Sequence, residues 1–381
     1  MTIIQAIVNG VIFNGECAMQ GKAVLLSGDR VLEVVSESEI PADIQERFDL
    51  QGGTLVPGFV DLQVNGGGGV LFNNDPSAET IRTIAAAHRR YGTTALLPTL
   101  ITDDFPVMVQ AIAAVRQAIE DGVPGVIGIH IEGPFLSPDR AGAHDASKFC
   151  RLDEQGIELV CSLDKGKTLL TLAPELTTSA TIQYLVEQGL IIAAGHSAAD
   201  YEQVAQALEA GVAGFTHLYN AMSPLQGRAP GMVGAALADE ASWFGIIADG
   251  HHVHPAAFKA AVRAKHSGGA LLVTDAMAPV GASESTFALG EEILRASDGR
   301  IVNQAGRLAG SALDMLSAVN NAAEFAGIDW FEAQRMASLY PARALGLDTE
   351  LGIIAAGCRA SLLALDKQRC ITACWIDGVK D

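Results

Sequence analysis

Eight short apolar runs, each followed by a stretch with helical spacing, occupy the middle of this 381-residue chain. The runs are TLVPGFVDLQV, TTALLPTL, GVIGIHIEG, LLTLAPE, LIIAAGH, GFTH, FGIIADG and ALLVTDA. Between them lie segments such as AETIRTIAAAHRRYG and YEQVAQALEAG, with apolar residues three and four apart and a closing glycine that stops a helix. Strand–helix alternation implies parallel strands, and eight units imply closure into a (β/α)8 TIM-like barrel; an open doubly wound sheet is the other fold such alternation allows. Residues 1–54 and 345–381 read instead as short alternating β segments parted by Gly, Asn and Asp turns. The expectation is an α/β chain with a barrel over 55–344 and a small discontinuous β-sandwich domain formed by both termini, 1–54 and 345–381.

In such a barrel the C-terminal strand ends converge on one face, where the site is built. Three runs end on residues able to bind a metal: Glu132 after VIGIHI, His196 after LIIAAG and His217 after GFT. A fourth, LLVT, ends on Asp275. Singly, each has a plainer role, Glu132 as a helix cap or core ion-pair partner and either histidine as a residue at a helix start. Together on one face they make a catalytic set, three protein ligands with a fourth position open to water or substrate, suited to Zn²⁺ or Fe²⁺. Beside a cation Asp275 stays ionised, and serves either as a general base or as the group that orients a ligand histidine.

Composition excludes several classes. No apolar stretch approaches ~18 uninterrupted residues, and MTIIQAIVNG has no basic segment ahead of an apolar run, so neither a membrane span nor a secretory signal is expected and the cytoplasm is the default. A net charge of -19 disfavours nucleic acid, whose phosphates need clustered Lys and Arg, and demands a local cationic pocket of any anionic substrate. Cys17, Cys150, Cys161, Cys358, Cys370 and Cys374 form no CxxC pair and are expected as buried free thiols. His88 beside Arg89 and Arg90, and His266 after Lys265, read as solvated; His251, His252 and His254 cannot be told apart by spacing. Gly66–Gly69, neither GxGxxG nor followed by Lys-Ser/Thr, reads as a flexible site loop.

The motifs PGFVDLQVNGGGG, HIEGPFLSP, AAGHSAAD, FTHLYNAMSPLQGRAPG, ADGHHVHP, VTDAMAP and RLAGS, in this order over essentially the whole chain, resemble the amidohydrolase superfamily, in its branch that deacetylates N-acetylglucosamine 6-phosphate. The resemblance implies a metal-dependent hydrolase releasing glucosamine 6-phosphate and acetate in amino-sugar catabolism and recycling. It implies that Glu132, His196 and His217 hold one divalent ion per subunit, Zn²⁺ first and Fe²⁺ or another ion next, and that Asp275 is the proton shuttle. It implies that Asn220, Ala221, Arg228 and His252 hold the sugar phosphate, His252 being selected by the pattern Asp-Gly-x-His, while Ala143, His144, Leu308, Ala309 and Gly310 contact the sugar and acetamide. In this branch the arginine serves the neighbouring subunit's site, which implies a homodimer with Arg228 reaching across. Many superfamily members end the first strand on His-x-His to hold a second metal; this chain has Gln63 and Asn65 there, poor ligands for a zinc-type ion, so that position is expected to be vestigial. No lysine ends the fourth strand to be carbamylated. A cyclic amide or amidine hydrolase, and a metal-free relative without catalysis, are the other functions considered. The missing His-x-His tells against the first, and retention of Glu132, His196, His217 and Asp275 against the second.

Overall fold

Parallel strands covered on both faces must be apolar throughout, and the eight runs become such strands. The computed structural model describes residues 4–44, 46–290, 292–303 and 306–381; the first three residues of the N-terminal segment read above lie outside them. The strands are β1 (Phe59–Val64), β2 (Thr93–Ile101), β3 (Gly128–Glu132), β4 (Lys167–Leu172), β5 (Ile191–Ala194), β6 (Gly214–Phe215), β7 (Trp243–Ile246) and β8 (Ala270–Leu272). They pair in sequence order into one parallel eight-stranded sheet. The circle is nearly closed by the segment after β8. There Ala276 bridges to Val64, the Asp275 N–H donates to Gln63 O at 2.9 Å, and the Thr274 hydroxyl donates to the Asp61 carboxylate at 2.6 Å. Helices with local caps surround the strands: Ser77 accepts from Thr80 N at the start of Ala78–Arg89, and Asp200 and Gln203 form a capping box on Tyr201–Glu209.

The termini form two smaller sheets, the first from N-terminal strands alone and the second from both ends. One joins Arg30–Ser36, Lys22–Ser27, Ile4–Val8 and Glu46–Asp49; the other has six strands, in which Thr54–Pro57 lies antiparallel to Leu362–Leu365. Ile7, Val24, Leu55, Leu362 and Trp375 fill the layer between them, and Trp375 meets Phe48 edge to face at 4.9 Å. Because Thr54–Pro57 runs straight into β1, the terminal sheets anchor the first barrel strand. No helix among the described residues is long and apolar enough to cross a membrane.

Four features depart from the sequence-based expectations. Thr286–Leu289, Glu292–Ser297, Arg300–Val302 and Leu308–Ser311 form an antiparallel sheet inserted after β8, where only barrel was expected. Its inner face, Leu294, Ile301 and Ala309, packs on Leu71 and Met277. His88 is not solvated but fully buried: its Nε2 bonds to Gly66 O at 2.9 Å, because the glycine run folds back on the helix. That run is a packed hairpin and not a flexible loop. Gly66–Gly67 pairs with Val70–Leu71, and Gly68 and Gly69 turn at φ 64° and 91°, which favours glycine. All six cysteines are free, yet only Cys358 and Cys374 are buried; Cys17 and Cys370 are exposed in turns beside strands of the terminal sheets, and Cys150 and Cys161 are half-buried, in the loop before helix Glu154–Val160 and at its C-cap. His266 is exposed.

Candidate active site

At the mouth of the barrel the chain must leave a strand and still turn a side chain inward. Glu132 does so as the last residue of β3, but His196, His217 and Asp275 follow β5, β6 and β8 by two or three residues and adopt left-handed backbone at φ 47°, 34° and 51°. Such φ values are strained for residues with a Cβ and persist where surrounding structure enforces them. Tyr219 and Ala221, in the loop after His217, are left-handed too. The glycine before His196 is required: a Cβ on Gly195 would come within 2.8 Å of Thr171 and 3.0 Å of Thr216.

These turns bring three ligand atoms to one point. His196 Nε2 and His217 Nε2 lie 3.0 Å apart, and Glu132 Oε1 is 3.1 Å from the first and 3.0 Å from the second. Tetrahedral bonds of about 2.0–2.1 Å would set such atoms roughly 3.3–3.4 Å apart, so the cluster has the size of a divalent-ion site. His196 Nδ1 donates to Arg140 O at 2.9 Å, which leaves its Nε2 lone pair turned inward, as ligation requires. Glu132, His196 and His217 are buried, and they are the one group of this kind among the described residues. Burial alone would raise the Glu132 carboxyl, but the adjoining His196 and His217 imidazoles hold it well below the usual carboxylate range. The donors present fit a divalent cation.

Gln63 and Asn65 present amide nitrogens, not oxygens, to the acidic groups. Gln63 Nε2 donates to Glu132 Oε2 at 3.0 Å and to Asp275 Oδ1 at 3.2 Å, and Asn65 Nδ2 donates to Asp275 Oδ1 at 2.6 Å. Two neutral donors therefore face the carboxylates where His-x-His would put a second cation. Burial and the neighbouring Glu132 charge push Asp275 up to about 6. His144 lies beside the cluster, its ring 4.3 Å from that of His196. The Thr102 backbone N–H can only donate, so with it at 3.4 Å and the Thr102 hydroxyl at 2.8 Å on Nδ1, the ring proton sits on Nε2. Burial and the neighbouring His196 push this histidine down to about 3, so it is a neutral donor.

The cavity above these groups measures about 140 Å³ and is lined by Asn65, Glu132, Ala143, His144, His196, His217, Asn220, Ala221, His252, Asp275 and Leu308–Gly310, with Ile101, Gly142, Met277 and Leu289 completing the wall. The inserted sheet supplies Leu289 and Leu308–Gly310. No lysine or arginine among the described residues lines it. Arg228 stands outside, in an exposed loop with Leu225 54% exposed. A larger cleft of about 790 Å³ opens between the N-terminal ends of β6 to β8, the face of a barrel given to stability, and it gathers no comparable ligand set.

The three adjacent histidines separate clearly. His254 caps helix Pro255–Ala264, accepting from Ala256 N, and His251 is exposed. His252 lines the cavity, and its Nδ1 donates to Asp249 Oδ2 at 2.6 Å with both side chains buried. Asp249 escaped the sequence reading, as did His130, two residues before Glu132 and hence on the same face of β3. His130 is buried under the cluster, bonded to Thr171 Oγ1 at 2.7 Å and pushed down to about 4 by burial. The period of two was the signal that could have found it; for Asp249 only the Asp-Gly-x-His pattern hints at a role.

Fold and site together define a hydrolase built on an acid- and histidine-lined barrel mouth. Residues 54–380 match the amidohydrolase family and residues 5–55 the NagA composite domain, and the chain belongs to the amidohydrolase family. Its relatives narrow the branch to sugar-phosphate deacetylases. The chain is 46% identical over 369 residues to the N-acetylgalactosamine-6-phosphate deacetylase of Shewanella sp. (strain ANA-3), covering 95% of this chain and 91% of that one. The crystal structure of N-acetylglucosamine-6-phosphate deacetylase from Pasteurella multocida superposes with a TM-score of 0.96 at 35% identity, covering 99% of each chain. A mutant of the Mycobacterium smegmatis N-acetyl-D-glucosamine-6-phosphate deacetylase, in complex with N-acetyl-D-glucosamine-6-phosphate, superposes at 0.90 with 30% identity, covering 100% of this chain and 99% of that one.

Proposed function

We propose that this amidohydrolase removes the acetyl group of N-acetyl-D-glucosamine 6-phosphate, giving D-glucosamine 6-phosphate and acetate, in amino-sugar catabolism. The observation that carries the reading is the convergence of Glu132, His196, His217 and Asp275 on one cavity that also holds His144 and His252. Glu132, His196 and His217 would hold one Zn²⁺ per chain, with Fe²⁺ the other ion these donors suit. Such a cation polarises an amide carbonyl and makes water a nucleophile near neutral pH. Asp275 takes the proton of the attacking water and returns it to the departing nitrogen, so that the amine leaves neutral. Gln63 and Asn65 hold the Asp275 carboxylate toward the cavity, and the His144 Nε2–H would donate to the acetamide carbonyl oxygen as charge develops on it. Asn220, Ala221 and His252 would receive the phosphate, and Ala143 and Leu308–Gly310 the sugar.

A dianion in a cavity that no lysine or arginine among the described residues lines, on a chain of net charge -19, calls for a cation beyond those the cavity's own side chains supply. The exposed Arg228 loop supports a homodimer in which each subunit lends that arginine to its partner.

The galactosamine epimer is a second substrate, favoured by the 46% identical relative. The polar side chains lining the cavity are Asn65, Glu132, His144, His196, His217, Asn220, His252 and Asp275, all engaged with metal, acetamide, proton transfer or phosphate in this reading. None remains to read the configuration at sugar carbon 4, and a wall without such a group discriminates weakly. Acetate release from both 6-phosphates, with metal content after dialysis, tests these statements. One equivalent of metal per chain, activity abolished by a chelator and turnover of both epimers are expected. No acetate from either sugar phosphate would end the reading, and selectivity above ~100-fold between epimers would end the second substrate.

A further inference from the structure

We propose that Asp249 is a positioning residue for phosphate recognition, holding the His252 ring so that its Nε2–H meets the phosphate of the substrate. The inference rests on the reading above, in which His252 contacts the phosphate. Asp249 itself does not line the cavity, so it acts through His252. Its carboxylate is fixed within its own turn: Oδ1 accepts the backbone N–H groups of His251 and His252, both at 2.8 Å, and Oδ2 accepts from His252 Nδ1 at 2.6 Å. Burial would raise this carboxyl, but the His252 hydrogen bond and charge outweigh it and keep the group ionised.

The consequence for the ring follows from donor and acceptor counts. A carboxylate only accepts, so Nδ1 must carry a proton, and a flip of the ring would forfeit the 2.6 Å bond. Nε2 is then the nitrogen left for the cavity. A phosphate dianion also only accepts, so in the complex both ring nitrogens carry protons and the ring's charge lies between Asp249 and the phosphate. Charge-assisted hydrogen bonds are roughly twice as strong as neutral ones, so Asp249 converts a weak neutral donor into a strong one without touching the ligand. This gives the subunit a cationic contact of its own, although no arginine or lysine lines its cavity.

The test compares N-acetylglucosamine 6-phosphate with N-acetylglucosamine, using zinc-loaded wild type, Asp249→Asn, His252→Gln and the double variant. Asp249→Asn should raise KM for the phosphorylated sugar about 10-fold with little change in kcat, and shrink the preference over the plain sugar by the same factor. If Asp249 works through His252, adding it to His252→Gln should cost nothing further. A preference unchanged by Asp249→Asn, equal losses on both sugars, or additive losses in the double variant would overturn the inference. Should His252→Gln itself fail to alter the preference, the phosphate role of His252 falls first and this inference with it, which separates the two failures. A measurement on wild type keeps the test independent of variant folding. In ¹⁵N-histidine-labelled zinc enzyme saturated with glucosamine 6-phosphate, His252 should show two protonated nitrogens, and a single unprotonated one would refute the proposal.

Discussion

At the scale of single residues, the site is built from side chains whose neighbours dictate their state. Asp275 receives two amide donors on Oδ1, from Asn65 and Gln63, while burial and the Glu132 charge push it up to about 6. A carboxylate so held is committed in direction and ready to exchange a proton, which an amide cannot do. Asp275→Asn is therefore expected to lose about 10²–10⁴-fold in kcat while retaining close to one metal per chain. Kinetics and metal analysis on one preparation check this; near-normal turnover in metal-loaded enzyme would remove Asp275 from proton transfer.

Among the elements, the seam between β1 and β8 carries a second buried acid. Asp61 accepts from the Thr274 hydroxyl at 2.6 Å and from Gln63 N at 3.2 Å, and burial pushes it up to about 7. A folded-state pKa raised above the unfolded value of about 3.9 means that its stabilisation is fully present at pH below ~4 and lost as pH rises through about 7. Between those limits Asp61→Asn should flatten the pH dependence of stability relative to wild type. Chemical denaturation at pH 5 and pH 8 measures it, and identical slopes for the two proteins would show that Asp61 titrates normally. The seam also shows what sequence can and cannot reveal. The barrel strands were legible because parallel strands are apolar on both faces, and the converging Glu132, His196 and His217 because strand ends of a barrel share a face. The inserted sheet at 286–311 was not, since its short strands carry Glu292, Arg295 and Arg300 among their apolar residues and blur any period. His88 was misread because two adjacent arginines suggested water, whereas its burial is decided by a glycine hairpin twenty-two residues earlier. Asp249 bonds only within its own turn and leaves no periodic trace.

For the molecule as a whole, charge and assembly are linked. With -19 on the chain and no arginine or lysine in its cavity, the proposed dimer makes Arg228 of one subunit part of the other's site. Two crippled chains should then rescue each other. Mixing Arg228→Ala with Asp275→Asn under exchange puts half of the dimers in hybrid form, each with one complete site, so about a quarter of wild-type activity should return. No recovery in verified hybrids would place Arg228 in its own subunit or outside the site. The left-handed backbone at the strand ends has a further reach, into how this protein can evolve. Glycine at position 275 would relieve roughly 1 kcal/mol of backbone strain and delete a buried acid lying beside another. Selection for heat resistance alone would thus favour changes at the catalytic rim and collect sturdier, inert proteins; the stability this chain forgoes there is retained only while turnover is what is selected.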